Sequence, residues 1–209
     1  MADAVETGAR RGEATRLAIE RAAIDLFAEL GYNATSMRQI ASEAGIQPAA
    51  IYHWFPAKET ILTQLQDDFM DQLEVAVNAA VAAQGTPAGE LAAAVREHVV
   101  FHGLHPRAAF VTDSEIRALS PEPKARLIAR RDDYEAMFRG MIERGVEAGE
   151  LEVSNPAVAS YAILLQCTGV ALWYDPAGEL PLEEIAAIHV ELVLGSLGAD
   201  LKNGKWREG

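Results

Sequence analysis

Apolar residues recur at helical spacing along almost the whole chain, and no stretch alternates in the way that a half-buried strand does. Glycine and proline residues interrupt this pattern at intervals, which marks the loops between helices. The pattern predicts nine helices, at about 13–30, 36–44, 48–55, 58–82, 88–103, 106–119, 122–148, 155–174 and 181–198. We therefore expect an all-α fold.

The second and third of these helices are short and closely spaced. Ser36 followed by Gln39 fits a capping box, in which the two side chains satisfy free backbone N–H groups at a helix start. Gly45 can adopt the positive φ that turns the chain after a helix end, and Pro48 suits the first turn of the next helix. Two short helices joined by a tight turn are the layout of a helix-turn-helix unit.

The two short helices have distinct inner and outer faces. The inward positions are apolar: Ile40, Ala41, Ile51 and Phe55. The outward positions of the third helix are uncharged: Gln47, Ala49, Ala50, Tyr52 and His53. Amide and imidazole groups can contact base edges, alanine methyls can contact thymine methyls, and a tyrosine hydroxyl can reach a phosphate. The third helix is therefore a candidate recognition helix without the usual Arg or Lys.

The run from Thr35 to Ile46, continued by Tyr52, Phe55, Lys58 and Leu62, resembles the TetR family of transcriptional regulators. The resemblance implies a nine-helix TetR-like fold, with a three-helix DNA-binding head followed by a ligand-binding and dimerisation domain. It also implies a ligand-responsive, sequence-specific regulator, expected to be a repressor, that acts as a homodimer on a palindromic operator. The resemblance places Thr35, Tyr52 and Lys58 on phosphates and the third helix on base edges. The candidate DNA-binding residues are Thr35, Ser36, Arg38, Gln47, Pro48, Ala49, Ala50, Tyr52, His53 and Lys58.

The predicted organisation is a flexible N-terminal arm (1–12), a helix-turn-helix domain (13–57), a ligand-binding and dimerisation domain (58–200) and a C-terminal tail (201–209). The net charge of −13 is unevenly divided along the chain. Residues 1–62 carry six basic and eight acidic side chains, a net of −2, so −11 belongs to the remainder. Electrostatic repulsion of DNA is therefore concentrated outside the predicted reading head.

The last two predicted helices are apolar on more than one side. A helix with two apolar faces needs two partners. One face can pack within its own domain, and the TetR resemblance assigns the other to the same helices of a second subunit, in a four-helix bundle. The alternative, which the sequence leaves open, is the buried core of a monomer.

Aromatic and polar residues in the fifth to eighth helices are the candidate effector-binding residues, because the TetR resemblance puts a ligand cavity there. They are His98, His102, Phe110, Tyr134, Phe138, Tyr161, Gln166 and Trp173. The segments 130–165 and 173–186 are also similar to the branch of TetR regulators that responds to acyl-CoA thioesters in lipid and sterol breakdown, although Gly169 and Leu172 depart from it. We expect a small hydrophobic effector, for which an acyl-CoA thioester is one candidate class.

Other functions are less well supported by the sequence. His98 and His102 stand four residues apart, but two histidines alone do not indicate a metal site, so no metal and no cofactor is predicted. No catalytic motif is recognisable, and we expect no enzyme. A helical adaptor that has lost DNA binding is the alternative function. A single cysteine, the lack of a secretory signal and a polar interruption of the uncharged run 155–174 favour a cytoplasmic protein without a membrane partner.

Overall fold

The computed structural model describes residues 2–199, with side chains from Gly12 onward; Met1 and residues 200–209, and with them the predicted tail, lie outside the described part. The α-helices are α1 (Ala2–Leu30), α2 (Met37–Glu43), α3 (Ile51–Trp54), α4 (Lys58–Val81), α5 (Pro87–Leu104), α6 (Pro106–Ser114), α7 (Pro121–Glu147), α8 (Pro156–Thr168), α9 (Val170–Trp173) and α10 (Leu182–Ser196). A 3₁₀ turn, Glu115–Ala118, follows α6. No strand occurs within residues 2–199, and with α8 and α9 counted as one helix broken at Gly169, the nine predicted α-helices are confirmed.

The predicted start of the first helix at Glu13, after a flexible arm, is wrong. Helix α1 begins at Ala2. The residues before Glu13 include several alanines, glutamate and arginine, which favour a helix, and they contain no proline. Two glycines in this segment are a modest cost that does not end a helix.

The chain forms two compact units that do not coincide with the predicted domains. Unit 1 consists of Met1–Phe69 together with Phe110–Ala125, and unit 2 of Met70–Ala109 together with Arg126–Gly209. The unit that contains the helix-turn-helix therefore extends beyond the predicted 13–57. The reason is that the first half of α4 and a distant segment, the end of α6 with the 3₁₀ turn, belong to it.

The core of unit 1 lies under the helix-turn-helix. Its fully buried side chains include Ile19, Phe27, Ile40 and Ile51. Phe27 also packs on Tyr32, with ring centroids 5.2 Å apart. Leu17 is half exposed, because the buried stripe of α1 runs through Ile19.

Helix α5 is the centre of unit 2, since α8, α9 and α10 all pack against it. Its side chains are buried over most of its length. Helices α4 and α7 are tied by Arg130, whose guanidinium donates to Asp71 and Glu74 at 2.5 and 2.8 Å. Unit 2 thus has its own core and its own cross-links.

Helices α8 and α9 are apolar but are buried on one side only. The stretch Pro156–Trp173 is long and apolar enough to cross a membrane by length and composition, and 22% of it is buried. Its buried side chains, among them Ile163, Cys167 and Val170, form one face. The alternative that this helix lies in the buried core of a monomer is therefore ruled out. The opposite face of α8 and α9 is exposed to solvent in the single chain.

Candidate nucleic-acid interface and regulatory core

The predicted capping box at the start of α2 is confirmed. The Ser36 hydroxyl accepts a hydrogen bond from the Gln39 amide at 3.3 Å, and the Gln39 side-chain oxygen accepts one from the Ser36 amide at 2.9 Å. After α2, Gly45 has a φ of 69°. The Ile46 amide then donates to the Ala41 carbonyl at 2.9 Å, which closes the turn.

The predicted recognition helix is shorter than expected. Residues 48–50 form a turn, closed by the Ala50 amide on the Gln47 carbonyl at 2.8 Å, and only Ile51–Trp54 is α-helical. Ile51 and Phe55 are buried, as predicted. The outward residues are all exposed: Gln47, Pro48, Ala49, Ala50, Tyr52 and His53. We call these six residues the reading surface.

Trp54 is a support for the reading surface that the sequence pattern does not reveal. A Cβ added at Gly12 would lie 3.1 Å from Cη2 of Trp54, so the backbone of α1 passes directly over the indole. Trp54 also meets the His53 ring edge to face at 5.9 Å between centroids. The first helix therefore holds one end of α3, and glycine at position 12 gives it the space to do so.

Thr35 does not reach solvent, so the predicted phosphate contact through its hydroxyl is wrong. Its side chain is 2% exposed, and the hydroxyl donates to the carbonyls of Gly31 and Leu26 at 2.9 and 3.3 Å. The hydroxyl therefore bonds the backbone at the end of α1 and just after it. Of the other candidates, Ser36 and Arg38 are exposed on α2.

Lys58 holds the turn between α1 and α2. Its ammonium donates to the carbonyls of Tyr32 and Thr35, both at 2.5 Å, and lies 4.2 Å from the centroid of the Tyr32 ring. Burial lowers the pKa of Lys58, against the opposing effect of Glu115. Two of its three N–H donors are therefore used inside the protein, and one donor remains for the predicted contact with a DNA phosphate.

Two carboxylates of unit 1 accept hydrogen bonds from backbone amides near this lysine or next to it in the chain. Glu115 accepts a hydrogen bond from the Tyr32 amide at 3.1 Å. Glu59 accepts one from the Ser120 amide at 2.6 Å, and its hydrogen bonds with Ser120 lower the pKa of Glu59. The backbone of the turn before α2 is thus fixed by a lysine on its carbonyls and a glutamate on its amide.

We expect Lys58→Met to lower the stability of the protein in the absence of DNA. Loss of two charge-assisted hydrogen bonds should reduce the free energy of unfolding by about 1–3 kcal/mol. Thermal unfolding of the free protein measures this, and Lys124→Met provides the same chemical change elsewhere in unit 1. An unchanged unfolding temperature, with operator affinity reduced, would show that Lys58 serves DNA phosphates alone.

Four of the predicted effector residues form one buried cluster in unit 2. His98 lies between two hydroxyls, with Nδ1 3.0 Å from the Tyr134 oxygen and Nε2 3.0 Å from Thr168 Oγ1. The His102 ring stacks on His98 at 4.1 Å, and Phe138 meets His98 edge to face at 6.1 Å. Burial, and secondarily His102, places the pKa of His98 well below its ordinary value, so the ring is neutral.

The other four predicted effector residues are not part of this cluster. Phe110 belongs to unit 1 and is 41% exposed. Tyr161, Gln166 and Trp173 are exposed on α8 and α9, and Trp173 stacks on the His189 ring at 6.1 Å. For Tyr161, Gln166 and Trp173, a place in a buried cluster with His98 is wrong, because they lie on the outer side of their helices; for Phe110 it stays a prediction.

An open cavity of about 650 Å³ lies elsewhere in unit 2 and contains none of the predicted effector residues. Small side chains at the end of α4, on α5 and on α10 leave this space unfilled. Its lining residues are Ala80, Ala83, Gln84, Gly89, Ala92, Ala93, Arg96, Glu97, Ala187, Val190 and Glu191. Across the described residues, no three His, Cys, Asp or Glu side chains group as metal ligands.

The neutral state of His98 predicts a loss of stability in mild acid. Below its ordinary pKa of 6.5 the unfolded chain binds a proton that the folded chain does not, so the free energy of unfolding falls as pH falls. The slope is at most about 1.4 kcal/mol per pH unit for one such group. Unfolding by urea at pH 7 and pH 5 measures the slope. His98→Gln, which cannot titrate, should reduce the slope, and an equal slope in both proteins would assign it to other groups.

Unit 2 also carries an exposed apolar surface formed by α8, α9 and α10, here called the apolar face. Its most exposed members are Leu165 at 78% and Leu172 at 74%. The full set is Val158, Tyr161, Leu165, Leu172, Trp173, Ile188 and Leu192. Large exposed apolar surfaces mark sites of association in soluble proteins.

Two family models match the chain. Residues 19–65 match the family described as bacterial regulatory proteins, tetR family. Residues 84–197, more than half of the chain, match the tetracyclin repressor-like C-terminal domain. The chain belongs to the TetR family.

Transcriptional regulators that match over almost their full length agree with this assignment. The chain is 26% identical to the HTH-type transcriptional repressor KstR2 of Mycobacterium tuberculosis over 194 residues, which is 92% of this chain and 94% of the relative. A TetR-family structure from Rhodococcus RHA1 is 30% identical with a TM-score of 0.83, covering 88% of this chain and 97% of that one. AibR, solved with isovaleryl coenzyme A and operator DNA, is 25% identical with a TM-score of 0.78, covering 85% and 97%.

Membership of the TetR family assigns the chemistry of the head. The matched family consists of DNA-binding regulators, and the match includes the whole helix-turn-helix. The protein is a helix-turn-helix transcriptional regulator and not an enzyme. An adaptor that has lost DNA binding is not favoured by these relatives, and the exposed reading surface is what DNA contact requires.

Proposed function

We propose that this TetR-family protein is a repressor that binds an inverted-repeat operator as a homodimer and is released by a small hydrophobic effector. The observation that carries the proposal is the apolar face of unit 2. An α3 of one turn reaches few bases, so a single head would bind DNA weakly. The apolar face supplies the means of bringing two heads together.

Burial of the apolar face in a dimer agrees with its composition and position. Each fully buried leucine contributes about 1.5–3 kcal/mol relative to an exposed one. The face spans α8, α9 and α10. With α8 and α9 counted as one broken helix, these can form a four-helix bundle with the same helices of a twofold-related copy. This also accounts for an apolar helix with only one buried side in a protein that we assign to the cytoplasm.

Twofold pairing determines the form of the operator. Two recognition elements related by a twofold axis contact major grooves about 34 Å apart, or a multiple of that distance. The bases are then read in opposite directions at the two half-sites, so the operator is an inverted repeat. Gln47 and His53 are the side chains that we assign to hydrogen bonds with base edges, and Tyr52 the one that we assign to a phosphate.

The effector class is inferred from the relatives and from the buried cluster. AibR was solved with isovaleryl coenzyme A, and KstR2 is described as a ketosteroid regulator. His98 is neutral and lies among aromatic rings, which suits a hydrophobic molecule with few polar groups. An acyl-CoA thioester is the candidate that we propose. Arg130 is already bound to Asp71 and Glu74, so it would not hold the phosphates of such a ligand.

Selection of bound fragments from a random DNA pool tests the proposed function directly. We expect the wild-type protein to enrich an inverted repeat, and analytical ultracentrifugation to show two chains on each selected site. Isovaleryl coenzyme A and free coenzyme A, added separately, test the effector class. Enrichment of no sequence, or of an asymmetric site bound by one chain, would overturn the proposal.

A further inference from the structure

A series of hydrogen bonds in unit 2 runs from Tyr134 through His98 to Thr168, and it ends where α8 and α9 meet. Thr168, whose hydroxyl is bonded to His98, is the last residue of α8. The next residue, Gly169, separates α8 from α9. His98 lies on α5 and its other partner, Tyr134, on α7. The joint between α8 and α9 is therefore bonded to the core of unit 2 through one side chain.

The helix is locally distorted at this joint. The amide of Leu172 donates to the carbonyl of Gly169, three residues back, at 3.0 Å, rather than four residues back as in a regular α-helix. A Cβ at position 169 would lie 3.3 Å from the Gln166 carbonyl oxygen, which is closer than side chains normally approach. Gly169 has a helical φ of −56°, and its lack of a Cβ avoids this close contact.

The bond between Thr168 and His98 is well suited to hold this joint against the core of unit 2. His98 is neutral and has one donor and one acceptor nitrogen, and each hydroxyl can donate or accept. Both ring nitrogens are therefore satisfied in either tautomer, so the bond to Thr168 does not depend on which nitrogen carries the proton. In a buried site, loss of one member leaves a polar group without a partner, which is costly.

We propose that Thr168 and His98 are positioning residues for dimerisation: their hydrogen bond holds the joint between α8 and α9 against the core, and with it the placement of Leu172 and Trp173 in the apolar face. The inference rests on the proposed function, because it assumes that the apolar face pairs two subunits. It adds a physical link between the core of unit 2 and that face. Any change in the core that removes Thr168 from His98 changes the surface offered to the second copy.

Hydrogen exchange of the full-length protein tests the link without an effector. In Thr168→Val, which keeps the shape and removes the hydroxyl, the amides of Leu172 and Tyr174 should exchange about tenfold faster than in wild type. Operator affinity should fall by about three- to tenfold, while the protein remains folded. Thr168→Ser restores the hydroxyl and should restore both properties.

Tyr134→Phe is the matched control, since it removes the other hydrogen bond of the same ring. It should leave the exchange of Leu172 and Tyr174 as in wild type. Wild-type exchange in Thr168→Val, failure of Thr168→Ser to rescue, or equally fast exchange in Tyr134→Phe would overturn the inference. Should Thr168→Val not fold, Thr168→Ala carries the same prediction. If the wild-type protein selects no inverted repeat, the proposed function fails, and the exchange comparison still decides whether the bond holds the joint between α8 and α9.

Discussion

Replacement of Leu165 and Leu192 by Asp should convert the protein to monomers and reduce operator affinity by more than about a hundredfold. Both leucines lie in the apolar face, and each is more than half exposed in the single chain. Four charges would be placed in one twofold interface, and unpaired buried charges cost several kcal/mol each. Since about 1.4 kcal/mol corresponds to a tenfold change in affinity, loss of the second head should remove nearly all binding.

Sedimentation equilibrium measures the association of this double variant, and a gel shift with the selected operator measures its affinity. Val75→Asp is the matched control, because Val75 is 71% exposed on α4 and does not belong to the apolar face. It should remain dimeric and bind normally. A double variant that is still dimeric would place the dimer interface elsewhere on the protein.

Tyr52→Ala should reduce operator affinity by about ten- to a hundredfold per dimer while leaving the dimer intact. Tyr52 is 57% exposed at the centre of the reading surface, and its backbone is anchored by the buried side chains of Ile51 and Phe55. The substitution removes a phosphate contact and aromatic surface twice, once in each subunit, and each loss is about 1 kcal/mol or more. Fluorescence anisotropy with a labelled operator gives the affinity.

Two comparisons separate the contribution of Tyr52 from general effects of truncation. Phe110→Ala removes another exposed aromatic ring of unit 1, outside the helix-turn-helix, and should leave DNA affinity unchanged. Tyr52→Phe retains the ring and should show how much of the effect belongs to the hydroxyl. Normal affinity of Tyr52→Ala would remove Tyr52 from the DNA interface.

Local sequence signals are sufficient to predict which residues form the reading surface. The pair Ser36 and Gln39 specifies a helix start, Gly45 a turn, and the four-residue spacing of Ile51 and Phe55 an inner face. Each depends on residues close together in the chain, so the pattern predicts them. Once Ile51 and Phe55 are assigned to the inner face, the other positions of α3 are predicted to be exposed.

Contacts between distant residues could not be predicted in this way. Glu115 and Tyr32 are 83 positions apart, and nothing in either local pattern indicates that one bonds the other. Lys58 is a comparable case, since its family resemblance indicates a phosphate while the structure directs its ammonium to two carbonyls. The TetR resemblance places Tyr161 in a cavity, and the sequence cannot reveal that this residue is exposed, because spacing shows which residues share a face but not which neighbour that face meets.

The uncharged reading surface has a consequence for how the protein finds its site in a genome. Its six residues include no Lys or Arg, so only cations outside it, such as Arg38 and Lys58, release counterions from DNA, and random sequence holds the protein less tightly than it holds a strongly basic head. Most encounters should then end in escape into solution rather than in a long one-dimensional scan along the duplex. Occupancy of the correct site would depend on how long the matched complex lasts, and a moderate rise in cellular salt would change it little.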